Sequence, residues 1–565
     1  MDADVSVPTQ SAAPEVATCN IASALPRLAA QSPQRVAMRC PGTRRADGLA
    51  SYDVELTYGE LDRRSDAIAA GLAKRGIVRG TRAAIMVRPS PEFFLLMFAL
   101  FKAGAVPVLI DPGIDKRALR QCLDEAAPEA FIGIPLAHVA RVVLGWAKSA
   151  RIRITTGQRA FLADDTLARV ERAGAGVGSQ LADTRPDEVA AIVFTSGSTG
   201  VPKGVVFRHR HFVAQIEMMG EAFGIVPGGV DLPTFPPFAL FDPALGLTSV
   251  IPDMDPTRPA QADPVKLLDS INRFGCDQLF GSPALMAVLA RHGQPMPTIK
   301  RVTSAGAPVP PDTVARLREL LPDDAQFWTP YGATECLPVA VIEGRELQST
   351  RAATEAGAGT CVGRAVARND VRIIRIDDAP IEQWSDDLIV EAGVVGEITV
   401  AGPTATDSYF NRDAMTRLAK IRESADGAER IVHRMGDVGY LDEQGRLWFC
   451  GRKTHRVETA TGPLYTEQVE PVFNTHPKVR RTALVGTGAK GAQLPLLWVE
   501  LHKPRIGNSE REQIVEELRA IGAAHAHTAG IERFRFHPGF PVDIRHNAKI
   551  GREKLTLQAQ ATESR

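Results

Sequence analysis

Three kinds of feature are missing from the sequence, and each absence excludes a class of protein. The longest strongly apolar run, residues 93–101, has nine residues, which is too few to span a bilayer. The 66 basic residues balance the 66 acidic ones, so no net charge draws the protein to nucleic acid or to a membrane surface. The seven cysteines are scattered, with no C-x-x-C pair, which argues against a zinc site and against a disulfide framework.

The N-terminus also lacks the basic and then apolar order of a signal peptide. We therefore expect a soluble protein of the reducing cytoplasm, with no transmembrane segment and no nucleic-acid partner. Residues 1–20 are small, polar and interrupted by prolines, which predicts a flexible N-terminal tail. At 565 residues the chain is long enough for more than one domain.

Local patterns in the rest of the chain predict alternating strands and helices. Residues 83–110 predict a strand, a buried helix and a second strand, an order that implies a parallel α/β unit. Thr57 with Glu60, and Ser509 with Glu512, have the spacing of a capping box at the start of a helix.

The most informative stretch is F-T-S-G-S-T-G-V-P-K-G at residues 194–204. Its glycines let successive backbone N–H groups point inward as an anion-binding nest, its hydroxyls add donors, and Lys203 adds a mobile charge. It is not a Walker loop, because no G-K-[ST] closes it. A flexible linker is the alternative for such a composition, but apolar strands flank this segment on both sides. We therefore predict a polyphosphate site formed by Thr195, Ser196, Gly197, Ser198, Thr199, Gly200 and Lys203.

This segment resembles the phosphate loop of the adenylate-forming superfamily, which includes acyl-CoA synthetases, adenylation domains of peptide synthetases and luciferase-like enzymes. Further segments resemble the family in family order over nearly the whole chain: Y-G-A-T-E at 331–335, R-M-G-D-V-G at 434–439, G-R-K-T at 451–454 and R-H-N-A-K-I at 545–550. The resemblance implies an α/β fold with a large N-terminal domain of mixed sheets flanked by helices and a small mobile α+β C-terminal domain. The two domains are expected at 21–450 and 451–565, with the hinge at about 451–454.

The resemblance also implies ATP and Mg²⁺ as cofactors. At the base, Tyr331 offers a ring for stacking on the purine, and Gly332 permits close approach. The segment Gly306, Ala307 and Pro308 corresponds to the one that lies along the adenine in the family.

For the phosphates and the ribose, the resemblance assigns hydroxyl and charged side chains. Thr334 can donate to the α-phosphate, and Glu335 together with Thr195 can hold Mg²⁺, a hard cation that prefers oxygen ligands. Asp437 can accept hydrogen bonds from both ribose hydroxyls, and Arg452 matches an arginine associated with the ribose. The predicted catalytic residues are Lys203, Thr334, Glu335 and Lys549, the last aligned with the catalytic lysine of the family.

Aromatic residues in F-P-P-F-A-L-F form the candidate acyl pocket. The prolines predict an irregular backbone, and the resemblance places a wall of the acyl pocket here, formed by Phe235, Phe238 and Phe241. A buried turn is the alternative. By contrast, Phe212 and Met219 share one face of a predicted helix, which indicates core rather than substrate contact.

Several positions depart from the family pattern. Thr454 stands where the hinge acid is usual, Met435 replaces a threonine, and Ala548 replaces the glycine before the catalytic lysine. The glycine-rich turn that helps to build the thiolation site of CoA ligases reads T-G-P-L-Y at 461–465. This altered turn does not favour CoA chemistry.

The combination of F-P-P-F-A-L-F-D-P-A-L-G with R-H-N-A-K-I most resembles the olefin-biosynthesis branch of the family, the β-lactone synthetases. This resemblance implies that a long-chain 2-alkyl-3-hydroxy fatty acid is activated as acyl-AMP and then closed to a β-lactone by its own 3-hydroxyl. It leaves open an assembly with other enzymes of the olefin pathway, which the sequence does not reveal. The alternatives are a fatty-acyl-CoA or acyl-carrier ligase and an inactive nucleotide-binding scaffold.

Overall fold

A computed structural model describes residues 18–111, 113–195, 202–425, 427–542 and 550–563 of the chain. The strands are β1 (Val36–Cys40), β2 (Val54–Thr57), β3 (Arg82–Met86), β4 (Val106–Ile110), β5 (Ala130–Gly133), β6 (Ile152–Thr155), β7 (Asp165–Thr166), β8 (Val189–Thr195), β9 (Lys203–Arg208), β10 (Val230–Pro233), β11 (Thr248–Val250), β12 (Gln278–Gly281), β13 (Arg301–Ser304), β14 (Gln326–Ala333), β15 (Cys336–Glu343), β16 (Thr360–Ala365), β17 (Asp370–Ile374), β18 (Gly396–Ala401), β19 (Lys420–Ala425), β20 (Ala428–Leu441), β21 (Leu447–Arg452), β22 (Val457–Thr459), β23 (Gly462–Leu464), β24 (Val479–Thr487), β25 (Leu494–Leu501) and β26 (Phe534–Phe536).

The helices are α1 (Ala24–Gln31), α2 (Tyr58–Ala73), α3 (Pro91–Lys102), α4 (Lys116–Ala126), α5 (Pro135–Leu144), α6 (Leu167–Gly174), α7 (His209–Phe223), α8 (Pro236–Ala239), α9 (Asp242–Leu245), α10 (Pro264–Phe274), α11 (Pro283–His292), α12 (Pro311–Glu319), α13 (Gly344–Ser349), α14 (Arg351–Glu355), α15 (Asp413–Ala419), α16 (Thr466–Phe473), α17 (Asn508–Ala523) and α18 (Arg552–Glu563). Within the ranges that the structure describes, none of these helices has the length and apolar character needed to cross a membrane.

Most strands belong to two sheets. Over the described residues, the first sheet has fourteen strands in the order β17-β18-β20-β21-β16-β15-β14-β13-β12-β10-β11-β1-β2, with β19 paired to β20. The second has seven strands in the order β7-β6-β5-β3-β4-β8-β9. In the second sheet the strands from β7 to β8 pair in parallel, and β9 returns antiparallel to β8. The predicted mixed sheets with flanking helices are therefore confirmed.

The second sheet is buried on both faces, as is usual for parallel strands joined by helical crossovers. Helix α3 packs on one face, where Phe94, Leu96 and Met97 are completely buried. Helices α4 and α5 pack on the other face, around Phe131. The strand, helix and strand predicted at 83–110 are β3, α3 and β4, and the two strands pair in parallel.

Of the two predicted capping boxes, one is confirmed and one is wrong. The Thr57 side chain accepts from the Glu60 backbone N–H, and the Glu60 carboxylate accepts from the Thr57 N–H, so both bonds of the motif are present. Helix α17 instead begins at Asn508 with Gly507 as its N-cap, and no side chain caps it. The spacing of Ser509 is therefore coincidental, because the helix has already begun.

The C-terminal residues form a third, small unit. Strands β24, β25 and β26 make one sheet, and α16 and α17 pack on it around Phe473, Leu497 and Leu518. Helix α18 begins with Arg552, whose Nη2 lies 3.0 Å from Oε2 of the Glu470 carboxylate on α16. This is the α+β architecture expected for the C-terminal part, whereas the domain limits and the mobility of this unit stay predictions.

Candidate active site

A cavity of about 2010 Å³ lies at the carboxyl ends of the parallel strands. Residues after β3 and β4 and the last residues of β8 in the second sheet, residues after β12 and β13 of the first sheet, and residues 550–554 all line it. Ligands of open α/β sheets bind at this edge of the strands. The cavity brings together Thr195, Lys203, Phe235, Phe238, Phe241, Gly306, Ala307, Pro308, Tyr331, Gly332, Thr334, Glu335, Asp437 and Arg452.

Three of these side chains meet at one end of the cavity. The pairing of β20 with β21 places Asp437 directly opposite Arg452. The Tyr331 hydroxyl donates to Oδ2 of Asp437 at 2.7 Å, and Nη1 of Arg452 lies 3.0 Å from Oδ1. Burial raises the pKa of Asp437, and Arg452 opposes that shift. The tyrosine expected to stack on the base is therefore also a hydrogen-bond donor that orients the carboxylate.

The Oδ1 atom of Asp437 is an unsatisfied buried acceptor. It forms an ion pair with Arg452 by distance, but the angles are not those of a hydrogen bond, and no other donor reaches it among the described residues. A buried acceptor without a donor costs free energy. Vicinal hydroxyls of a ribose would supply donors at this position, so the residues present fit a nucleotide.

A second polar group lies where β8 and β9 end. Thr195 and Lys203 are cross-strand partners, which confirms that the glycine-rich loop joins two strands. The Lys203 ammonium lies 5.1 Å from the centroid of the Tyr409 ring, and the Tyr409 hydroxyl donates to Oε1 of Glu335 at 2.6 Å. Burial lowers the pKa of Lys203, and the Glu335 carboxylate partly offsets this. A cation, a carboxylate and a phenol thus converge where the phosphates are expected.

Two buried basic residues support this group, and the sequence analysis missed both. The Lys420 ammonium contacts the Thr406 carbonyl and hydroxyl, and Thr406 in turn donates to the Glu335 carbonyl from its N–H at 2.9 Å. Burial lowers the pKa of Lys420 to about 8. Nδ1 of His433 lies 3.1 Å from the Ala419 carbonyl, and burial lowers the pKa of His433 well below its usual value. No local motif marks these residues, because they meet only through the pairing of β19 with β20.

Two positions in the predicted adenine site require glycine, one because of its backbone conformation and the other because there is no room for a side chain. Gly306 has φ +99°, a left-handed conformation that other residues rarely adopt. A Cβ at Gly332 would lie 2.8 Å from the Cys336 carbonyl oxygen. The glycine at position 332 therefore has two equally good explanations: close packing within the β14–β15 hairpin, and close approach of a ligand.

The predicted irregular backbone around Phe235 is wrong. Two single-turn helices, α8 and α9, occupy this segment, because proline is tolerated in the first turn, where its missing N–H is not needed. The three phenylalanines do form an aromatic wall. The Phe238 ring is stacked on Phe280 with centroids 4.3 Å apart and lies 6.2 Å from the Phe241 ring.

Phe212 and Met219 also line the cavity, although their helical spacing indicated core alone. Both are buried, and the Phe212 ring is stacked on Phe207 at 4.5 Å. The prediction that these two residues belong to the core alone was therefore incomplete, because the same face of α7 packs in the core and also lines the cavity.

Some predicted site residues lie outside the described ranges. These are the loop residues Ser196, Gly197, Ser198, Thr199 and Gly200, and the aligned lysine, Lys549. Residues on both sides of each gap line the cavity: Thr195 and Lys203 for the loop, and Val542 and Ile550 for the lysine segment.

Basic residues dominate the predicted hinge. Thr454 lies in a short 3₁₀ turn, Lys453–His455. The Lys453 ammonium lies 3.1 Å from the Glu397 carboxylate, which also forms a fully buried ion pair with Arg434 at 2.6 Å. Nearer the solvent, Oδ2 of the half-exposed Asp378 contacts both Arg456, at 2.7 Å, and Lys490, at 2.6 Å.

The two sheets, the cavity at the carboxyl edge and the buried carboxylate beside a tyrosine and an arginine together fit a nucleotide-binding enzyme. The chain belongs to the AMP-binding enzyme family, whose model matches residues 25–410. Members of this family use ATP to activate carboxylic acids.

Within the family, the chain is most informatively compared with two bacterial proteins. It is 73% identical to a protein of Xanthomonas campestris pv. campestris named olefin beta-lactone synthetase, over 96% of this chain and 97% of that protein. It is 71% identical to a protein of the same name from Stenotrophomonas maltophilia, over 96% of this chain and 98% of that one. The resemblance drawn from the motifs is confirmed.

Solved structures share the fold at much lower identity. The o-succinylbenzoate coenzyme A synthetase of Bacillus subtilis, in complex with ATP and magnesium ion, has a TM-score of 0.71 at 20% identity. The match covers 94% of this chain and 98% of that one.

Proposed function

We propose that this protein activates a long-chain 2-alkyl-3-hydroxy fatty acid with ATP and then closes the acyl-adenylate to a β-lactone, as a step in olefin biosynthesis. The observation that carries this proposal is the 73% identity, over 96% of the chain, to a protein named olefin beta-lactone synthetase. The cavity supports it, because one end presents directed polar groups and the other presents aromatic side chains.

In the first step, a carboxylate oxygen of the acid attacks the α-phosphorus of ATP and pyrophosphate leaves. This reaction needs neutralisation of charge more than proton transfer. Asp437 and Arg452 would hold the ribose, with Tyr331 beside the base. Lys203 and Thr195 would bind the phosphates, and Lys549 would bridge the carboxylate and the α-phosphate.

Mg²⁺ fits the same place. This ion is usually held by one or two carboxylates together with substrate phosphates and water, and Glu335 offers one carboxylate. Its Oε1 accepts from Tyr409, while its Oε2 has no hydrogen bond to any other described residue. Thr195 lies at the end of β8 in the same cavity and would add an oxygen. When bound, the ion supplies positive charge to the phosphates.

In the second step, the 3-hydroxyl oxygen bonds to the acyl carbon, the bond from that carbon to the phosphate oxygen breaks, and AMP leaves with the electron pair. The hydroxyl proton is released. A nucleophile tethered to the reacting carbonyl has a very high effective concentration, so no second substrate is required. The altered turn at 461–465, which contains β23, is consistent with a reaction that needs no thiol.

The domain limits, the cellular location and the partners of the enzyme are also proposals. We infer two domains at 21–450 and 451–565, with a hinge at about 451–454 between them. The buried, unpaired cysteines, six of the seven, support a cytoplasmic location, where thiols stay reduced. Assembly with other enzymes of the olefin pathway would keep a water-insoluble product from dispersing.

The decisive test is the identity of the product. The purified protein is given Mg·ATP and a synthetic 2-alkyl-3-hydroxy fatty acid, with and without CoA, and products are identified by NMR. A β-lactone with AMP, formed equally without CoA, is expected. A thioester formed only with CoA would make the protein an acyl-CoA ligase, and absence of pyrophosphate release with any acid would make it a nucleotide-binding scaffold.

A further inference from the structure

The cavity touches both faces of the second sheet, and this divides its acyl end into two arms. Three pairs of consecutive strand residues line it: Ile85 with Met86, Leu109 with Ile110, and Val193 with Phe194. Successive residues of a strand point to opposite faces. The first member of each pair packs with the core on the α3 face, and the second packs with the core on the α4 and α5 face. The cavity therefore crosses the carboxyl edge of the sheet and extends on both sides.

The first arm, here called the deep arm, follows α3. Phe93, Met97 and Phe101 line it at intervals of four residues along one face of the helix, a distance of about 12 Å at the rise of an α-helix. All three are at most 7% exposed. The Phe101 ring lies 6.3 Å from the Phe212 ring, so aromatic side chains surround the inner part of this arm.

The second arm, here called the open arm, follows α5. Leu136, Ala137 and Ala140 line it, and these side chains are apolar. Leu136 is nevertheless 65% exposed, and Val143, one turn beyond Ala140 on the same face, is 74% exposed. One apolar face of α5 therefore lines the cavity at one end and is exposed at the other, and exposed apolar surface of this kind is often covered by an apolar ligand or partner.

We propose that the two arms hold two hydrocarbon chains of one acid substrate, which separate at the carboxyl edge of the second sheet. This inference rests on the proposed function and deepens it, because it assigns residues to each chain. The lining of the open arm at α5 offers no polar group to a thiol carrier, so hydrocarbon is the occupant that its chemistry fits. A single chain would occupy the deep arm, where more apolar surface is removed from water.

The test compares acids with one and two chains on the full-length protein, with pyrophosphate release as the readout. The variant Ala140→Trp fills the open arm. The matched control is Val142→Trp, since Val142 is on the same helix and 53% exposed but does not line the cavity. Each methylene kept out of an apolar site lowers affinity about fourfold. We expect Ala140→Trp to lower kcat/KM for a long 2-alkyl-3-hydroxy acid by at least about tenfold, while an unbranched 3-hydroxy acid changes by less than about twofold.

A second measurement needs no variant. On the unmodified protein, each chain of the acid is lengthened in turn. We expect an abrupt fall in kcat/KM when the chain in the deep arm outgrows it, and a flat response when the chain in the open arm grows over the α5 surface.

Two results would overturn the proposal: equal loss with one-chain and two-chain acids in Ala140→Trp, or the same length limit for both chains. The first would assign the α5 strip to another apolar partner. Pyrophosphate release reports adenylation alone, so it tests the two-arm assignment separately from the proposed formation of a β-lactone. If the arm pattern holds and no β-lactone forms, only the proposed function fails; if β-lactone forms without the arm pattern, only the two-arm assignment fails.

Discussion

At the polar end of the cavity, where the ribose is expected, Tyr331 and Arg452 both contact the carboxylate of Asp437. At the apolar end, where the acyl chain is expected, the rings of Phe238 and Phe280 contact each other. Directed polar contacts fix single atoms, and losing one leaves a buried group without its partner. Apolar contacts fill a volume, and substitutions that conserve the volume are tolerated. The two ends should therefore respond very differently to substitution.

The largest effect is expected from the polar end. Replacing Lys549 by alanine removes the positive charge that would neutralise the reacting oxygens. We expect pyrophosphate release to fall about 10³-fold, the cost of losing one strong stabilising donor, with no change in the thermal unfolding temperature. The exposed Lys503→Ala on the same C-terminal part is the control. Pyrophosphate release near the unmodified rate would remove Lys549 from the mechanism.

The next test concerns the ribose contact. Asp437→Ala removes the acceptor expected to bind both ribose hydroxyls. Because each hydrogen bond to a charged group contributes about 1.5 kcal/mol or more, we expect the KM for ATP to rise about a hundredfold. Asp442→Ala is the matched control, since Asp442 follows the same strand and accepts from Trp448 at 2.8 Å without lining the cavity. Equal effects of the two substitutions would argue against a ribose site at Asp437.

At the end of the cavity where the acyl chain is expected, a substitution should cause a smaller loss of activity, and it should affect the use of the acid rather than of ATP. Phe238→Ala removes the ring stacked on Phe280. The lost ring would otherwise bury apolar surface of the acyl chain, worth about 1.5 kcal/mol, so kcat/KM for a long-chain acid should fall about tenfold while the KM for ATP stays unchanged. Phe161→Ala, at a ring that is 62% exposed and outside the cavity, is the control. A rise in the KM for ATP would show that the two ends are not independent.

The smallest effect concerns stability and pH. Burial lowers the pKa of Lys420 from 10.5 to about 8. Between these values the unfolded chain binds a proton that the folded protein does not, so this group makes stability rise as pH increases from about 8 to 10.5. Glu335, Cys336, Asp407 and His433 are its titratable neighbours.

Lys420→Met should flatten that rise, measured as thermal unfolding temperature against pH, and the exposed Lys300→Met should leave it unchanged. An unaltered slope in Lys420→Met would mean that another group titrates there.

The contrast between the polar and the apolar end of the cavity also explains which residues could be predicted from the sequence. The residues expected to bind the nucleotide stand in short contiguous motifs, so the sequence alone could nominate Lys203, Glu335 and Asp437, and all three line one cavity. Tyr409 and Lys420, which support Glu335, were missed. Tyr409 contacts Glu335 from 74 positions away in the chain, and Lys420 is linked to Glu335 through Thr406.

The acyl end was predicted less well, because shape rather than a motif defines it. Nothing in the local sequence shows that Met97 on α3 and Ala140 on α5 line one cavity. The short helix α8 was missed because two prolines were taken as helix breakers, although proline at the first helical position fits a helix.

The ion pairs at the predicted hinge differ in exposure, and they should therefore differ in their sensitivity to ionic strength. Asp378 is half exposed where it contacts Arg456 and Lys490, so added salt screens these attractions. The Lys453–Glu397 pair is almost completely buried and is screened much less. We therefore expect rising salt to weaken the contacts of Asp378 before it weakens the Lys453–Glu397 pair, so that the inner pair persists longest.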